Sequence, residues 1–245
     1  MAGFDDPAFY GGRWAGFYDE HYADCDPAAA VDFLAGLAGA GRVLELAIGT
    51  GRVALPLAAR GARVEGVDAS APMVERLRAK PGGESIPVTL GDMADVPAEG
   101  PFQLVYLIFN TLFALLSQER QVQCFRNVAR VLAPGGGVFV IECFVPDVAM
   151  FDRGQRVRAE TVSEEAATIR VSRHDAVQQR ITTQVITLDG HGVHMHPVAL
   201  RYSWPAELDL MAAQASLRLR ERHGDWHRHP FSATSGQHVS VYQRS

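Results

Sequence analysis

Cysteine is scarce in this chain. The three in 245 residues, Cys25, Cys124 and Cys143, are too widely spaced and odd in number for a disulfide framework or a zinc ribbon. No apolar run approaches the length of a membrane span, and no basic segment followed by an apolar stretch opens the chain. A basic excess is missing too: 23 Lys and Arg stand against 28 Asp and Glu, a formal net charge of −5, with no lysine-rich patch. That balance excludes a general attraction to nucleic acid or to an anionic membrane. Repeats and low-complexity tracts are also absent. A single cytoplasmic domain is therefore expected, monomer or homodimer, acting on a small neutral or cationic molecule.

The stretch that is present, and around which the rest is arranged, runs from Arg42 to Arg52. Arg42 to Ala47 is a short apolar run suited to a buried parallel strand, with Glu45 inside it. Gly49 and Gly51 then permit a tight reversal, and Val53 to Ala59 resumes with helical spacing. A strand-to-helix elbow of this kind brings bare amides and a helix N-terminus up to a ligand. Gly49-x-Gly51-x-x-Ala54 alone is a weak dinucleotide fingerprint. Two more features sharpen it. A second strand, Ala62 to Val67, delivers Asp68 at a spacing suited to a ribose diol. Val131-Leu-Ala-Pro-Gly-Gly-Gly-Val-Phe-Val140 ends a helix in a Pro-Gly turn and begins another buried strand.

Together these residues resemble the class I S-adenosylmethionine-dependent methyltransferases, well from Val31 to Cys143 and beyond that in architecture alone. The family's first motif is acidic-x-Gly-x-Gly-x-Gly, and Ala47 here replaces the first glycine. The resemblance implies a doubly wound, Rossmann-like α/β fold. Its seven-stranded sheet has an antiparallel last strand, and an antiparallel β insertion and an N-terminal helical lid complete it. It implies S-adenosylmethionine as cofactor, with Glu45 near the methionine amine, Ala47, Gly49 and Gly51 along it, and Asp68, Ala69 and Met73 about the ribose. Asp92 and Met93 follow the third strand and match the family's acidic and apolar pair beside the adenine.

The organisation follows the same pattern. Residues 1–26 form the lid, 27–145 the cofactor-binding core, 150–204 the substrate insertion, and 205–245 a closing helix and strand pair. Within the lid, Phe9, Tyr10, Trp14, Phe17, Tyr18, His21 and Tyr22 recur at helical spacing. They make either a helix packed on the sheet edge or, as the resemblance implies for Tyr10, Trp14 and Tyr18, a cover over cofactor and substrate. The apolar fourth strand, Phe102 to Phe109, ends in Asn110-Thr-Leu-Phe113 where the family's base- and glutamine-methylating members carry Asn-Pro-Pro-aromatic. Its tip faces the crevice, which makes Phe109, Asn110 and Phe113 ligand neighbours. Glu142, at the exit of the fifth strand, is either a carboxylate tied to a backbone amide or the group that positions or deprotonates a nucleophile.

Three strand-like runs follow, Ala167 to Asp175, Arg180 to Leu188 and Val193 to Trp204, and alternation puts His194, His196, Val198, Leu200, Tyr202 and Trp204 on one face. That wall supplies Tyr202 and Trp204 as ring faces and His194 or His196 as proton acceptors. His194-x-His196 lacks an acidic or cysteine partner to complete a metal site, so no metal is expected. Methyl transfer from a sulfonium needs alignment and a free lone pair rather than a leaving-group acid. The expectation is N-methylation of a small cyclic or aromatic amine in specialised metabolism. O-methylation of a phenol or hydroxyl is the alternative, and a nicotinamide enzyme or a non-methylating relative the more distant ones.

Overall fold

The computed structural model describes residues 3–244. Its central sheet has seven strands in the order β3-β2-β1-β4-β5-β11-β10. They are β1 (Arg42–Leu46), β2 (Arg63–Asp68), β3 (Val88–Leu90), β4 (Leu104–Leu107), β5 (Val138–Phe144), β10 (Leu217–His223) and β11 (Gln237–Arg244). Strands β1 to β5 pair in parallel, while β11 runs antiparallel to both of its neighbours. The central strands β1 and β4 are almost wholly apolar because helices cover both faces. On one face α3 (Ala28–Ala38) and α4 (Ala54–Ala59) pack Leu34 and Leu57 against Val43, Leu104 and Val140. On the other, α6 (Gln118–Val131) and α7 (Pro205–Gln214) pack Phe125 and Leu208 against Val105, Phe139 and Tyr242. Helix α5 (Ala71–Arg78) starts at Ser70, whose side chain accepts the Met73 amide and caps it.

Four further strands form a separate antiparallel sheet in the order β6-β7-β8-β9. These are β6 (Gln155–Val162), β7 (Ala167–Asp175), β8 (Arg180–Asp189) and β9 (Gly192–Arg201). The last three match the runs expected from sequence; β6 is an addition. Its residues are nearly all exposed, so it has no apolar face for alternation to reveal. The pleat puts Arg170, Val185 and His196 on one face, with Ser172, Thr183 and Val198 beside them.

A buried arginine fastens this second sheet to the first layer. Arg201 at the end of β9 donates to Gln121 and Ser203 at 2.8 Å, to Gln179 at 3.1 Å and to Glu207 of α7 at 2.8 Å. Every partner needed to bury that charge is thus supplied, which sets the height of the insertion above α6 and α7.

The N-terminal aromatics form two short helices, α1 (Phe9–Trp14) and α2 (Tyr18–His21), lying between α5 and the insertion. Trp14 is completely buried there, in a cluster with Met73 and Val185, and its indole donates to the Pro197 carbonyl at 3.3 Å. Gly11 lets α1 close on α5, since a Cβ there would lie 2.3 Å from that of Ser70.

Candidate active site

The strand order reverses between β1 and β4, and at such a switch point the loops leaving the carboxyl ends diverge and open a crevice. A cavity of about 630 Å³ occupies it. The elbow and the tips of β2 and β4 make its floor, α1 and α2 one wall, and Val185 with Pro197 to Leu200 of the insertion its roof. Of the residues expected from sequence, Tyr10, Trp14, Tyr18, Glu45, Ala47, Gly49, Asp68, Ala69, Met73, Asp92, Met93, Phe109 and Asn110 all line this one space.

The elbow is held by Asp68, whose two oxygens accept the Gly49 amide at 2.7 Å and the Ser70 amide at 2.8 Å. Burial nevertheless pushes its carboxyl above the usual range. Ala47, in place of the family glycine, adopts φ 54°, the left-handed region that explains the glycine preference at this position. Gly51 is different from its neighbours: it stands behind the lining, with φ +79°, and a Cβ there would lie 2.2 Å from Leu77 Cδ1. Its missing side chain lets the elbow settle on α5 and gives the ligand no extra room, which corrects the expectation that it lies along the cofactor.

Glu45 is 3% exposed and accepts the Tyr106 hydroxyl at 2.8 Å. Burial raises its pKa to about 8 against the pull of Tyr106 and Arg52. A carboxyl raised in this way favours the fold when protonated; the contribution is whole below its ordinary value and is lost as pH climbs to about 8. A cationic amine arriving beside Glu45 would ionise it. Cofactor binding at pH 7 is therefore expected to release most of one proton, read by calorimetry in buffers of different ionisation enthalpy. The release should vanish in Glu45→Gln, and an unchanged value there would assign the proton elsewhere.

Arg52 was not singled out by the sequence. It stands in the cavity wall, 4.8 Å over the Phe109 ring, and its Nε is buried with no partner in the protein. A buried unpaired donor costs roughly 1–3 kcal/mol, which a ligand acceptor there would relieve. The only sequence signal was its place directly after Gly51. Thr50 was also missed. Its hydroxyl donates to Asp19 of α2 at 2.6 Å, and Lys80 donates to the same carboxylate at 2.8 Å, so the lid is tied to the elbow. Asp92 accepts from Arg120 at 2.5 Å and from the Ala94 amide at 2.8 Å, which orients it at the far end of the cavity.

Several expected residues stand outside the lining. Phe113 is fully buried against Phe144 in the core, since the turn after β4 aims it down rather than outward. Tyr202 is buried and shares a hydrogen bond of 2.9 Å with His174 Nε2. Trp204 is 42% exposed and precedes α7, because β9 ends at Arg201 and alternation stops there. His194 is solvent-exposed at 3.5 Å from Asp189, beside the β8–β9 turn. His196 is closer, but it stacks on Phe17 at 4.5 Å and against Trp14 at 5.1 Å, so it joins lid to roof as a packing surface. Glu142 has both oxygens engaged, by the Phe109 amide at 2.7 Å and by Trp226 Nε1 at 2.8 Å. It is the tied carboxylate of the two readings, with no oxygen left over as a base. Among the described residues no group of three or more His, Cys, Asp or Glu is placed to hold a metal ion, and no helix is long and apolar enough to cross a membrane.

Strand order, elbow and carboxylates at the tips of β1 and β2 define an enzyme of the class I methyltransferase architecture. A methyltransferase-domain family model matches residues 43–136. The chain is 31% identical over 206 residues to the cypemycin N-terminal methyltransferase of a Streptomyces species, covering 82% of each protein. The CcbJ methyltransferase of Streptomyces caelestis is 40% identical, superposes with a TM-score of 0.92, and is covered over 99% of its length by 98% of this chain. The sugar N-methyltransferase KedS8 of Streptoalloteichus, at 23% identity, TM-score 0.66 and 93% coverage of each chain, shares the fold. This chain belongs to the S-adenosylmethionine-dependent methyltransferases, and its cofactor is S-adenosylmethionine. The residues present fit that cofactor: the buried Glu45 suits a cationic amine, and the orphaned Arg52 Nε suits an acceptor.

Proposed function

We propose that this enzyme methylates a nitrogen of a small, cyclic or aromatic amine in specialised metabolism. S-adenosylmethionine supplies the methyl group on a sulfonium centre. Asp68 receives the ribose hydroxyls, Glu45 and Arg52 hold the amino-acid end, and Asp92 with Met93 border the adenine. Tyr10, Trp14 and Asn110 line the part left for the acceptor, under Val185, Val198 and Leu200. A cavity of about 630 Å³ beneath the four-stranded roof suits a small molecule better than a protein surface or a duplex.

The observation that carries the nitrogen reading is the absence of a base. No histidine lines the cavity, and the phenols of Tyr10, Tyr18 and Tyr22 are all pushed up by burial, Tyr18 to about 12. A hydroxyl acceptor would need firm deprotonation, whereas an amine carries its own lone pair once its proton has left to water. Aligning that lone pair and excluding water is then the protein's share of the work. The relatives named for N-methylation support the same reading. A matched panel of amines and phenols with isotopically labelled cofactor, read by mass spectrometry, tests it. Amines should be labelled with a rate that rises with pH toward the acceptor's own pKa. Labelling confined to hydroxyl acceptors would replace this reading by O-methylation.

A further inference from the structure

Glu142, at the exit of β5, faces two donors and nothing else. Its Oε2 accepts the Phe109 amide and its Oε1 the indole N–H of Trp226. Phe109 and Asn110 leave β4 with φ of 57° and 66°, so two consecutive non-glycine residues sit in the left-handed region. A phenylalanine enters that region rarely and stays only where its surroundings over-determine it. Here they do. The Asn110 amide donates to the Glu142 carbonyl at 3.1 Å, and the Phe144 amide donates to Asn110 Oδ1 at 2.6 Å.

The turn puts the Phe109 ring in the cavity wall, under the Arg52 guanidinium and edge-on to Tyr22 of the lid at 4.9 Å. Trp226 comes from the loop between β10 and β11, where its ring meets Phe33 of α3 at 5.5 Å and 75°. A carboxylate anchored in this way spans three parts of the chain and ends on one cavity residue.

We propose that Glu142 and Trp226 are positioning residues for methyl transfer: the carboxylate, itself held by the indole, locks the Phe109–Asn110 turn so that the Phe109 ring braces both Arg52 and the closed lid against the cofactor. This rests on the cofactor site assigned above. The chemistry of the clamp is an acceptor count. Two N–H donors need two acceptor oxygens, which a carboxylate has and a carboxamide lacks. Glu142→Gln keeps the shape but turns an amide NH2 toward one of the donors. Removing the indole donor as well, in Glu142→Gln/Trp226→Phe, restores a matched pair.

Binding of S-adenosylhomocysteine, measured by calorimetry on the full chain beside its melting temperature, tests this. Glu142→Gln should weaken binding about tenfold and raise KM for S-adenosylmethionine by a like factor, with kcat changed less than threefold. The double variant should return to within about threefold of the parent. A merely structural carboxylate would instead lower the melting temperature and leave affinity within about twofold, and that result overturns the proposal. A double variant no tighter than Glu142→Gln overturns it too. Should Glu142→Gln fail to fold, the double variant decides alone: near-parental affinity sustains the clamp, and a loss beyond about tenfold ends it. Asp68→Ala is the control, because intact binding there would remove the site assignment and the clamp with it, whereas loss there with none in Glu142→Gln removes the clamp alone.

Discussion

Asp68→Ala is expected to weaken S-adenosylmethionine binding by about ten- to 150-fold, ~1.5–3 kcal/mol, the scale of a charge-assisted hydrogen-bonding group. The side chain is 7% exposed and serves two sides at once. Toward the protein it accepts the Gly49 and Ser70 amides, fixing the elbow and the start of α5. Toward the cavity its remaining lone pairs are the acceptors available to a ribose diol at the tip of β2. Alanine removes both functions and leaves two donors without their acceptor. Asp68→Asn should lose less, since one oxygen remains to accept. Calorimetry with unchanged affinity in Asp68→Ala would sink the placement of the ribose.

The second large effect is on the fold itself. Gly51→Ala puts a Cβ 2.2 Å from Leu77 Cδ1 and 3.1 Å from Leu55 Cγ, at a φ of +79° that alanine adopts only under strain. Leu77 is fully buried and has little room to yield. Backbone strain and overpacking together should cost roughly 2–4 kcal/mol, lowering the melting temperature on the order of 10 °C. Cofactor affinity of the protein that remains folded should fall less than in Asp68→Ala, because Gly51 serves packing behind the elbow and does not face the ligand. A melting temperature within about 2 °C of the parent would mean that Leu77 moves aside freely. Together the two substitutions separate what the elbow does for the ligand from what it does for the sheet.

Where the chain obeys a strict local rule, its structure was legible. An apolar run closed by glycines marked β1 and the elbow, Asp68 marked the tip of β2, and the Pro-Gly turn marked the entry to β5. β6 escaped because both its faces are wet and no alternation survives in its residues. The histidines misled for a related reason. Period-two alternation tells which face a residue shares but not how far along the strand the cavity extends, and His194 lies beyond its rim. Phe113 shows the limit at turns, where a single left-handed residue reverses the facing of everything after it. Glu142 could not be decided from sequence at all. One of its partners, Trp226, comes from a loop in the last fifth of the chain, and nothing local announces that meeting.

The contact between Trp14 and Pro197 bears on the order in which the molecule is made. Its two partners lie 183 residues apart, near opposite ends of the chain, and the indole is completely enclosed once they meet. During synthesis the aromatic N-terminus leaves the ribosome first, yet the roof it packs beneath is completed only when β9 has emerged and Arg201 has found its partners on α6 and α7. For most of translation this segment is an exposed, sticky stretch with nowhere to dock. Contacts of such separation close late because the loop entropy must be met before they return anything. The part of the enzyme that seals the active site is thus the earliest to be translated and among the last to fold.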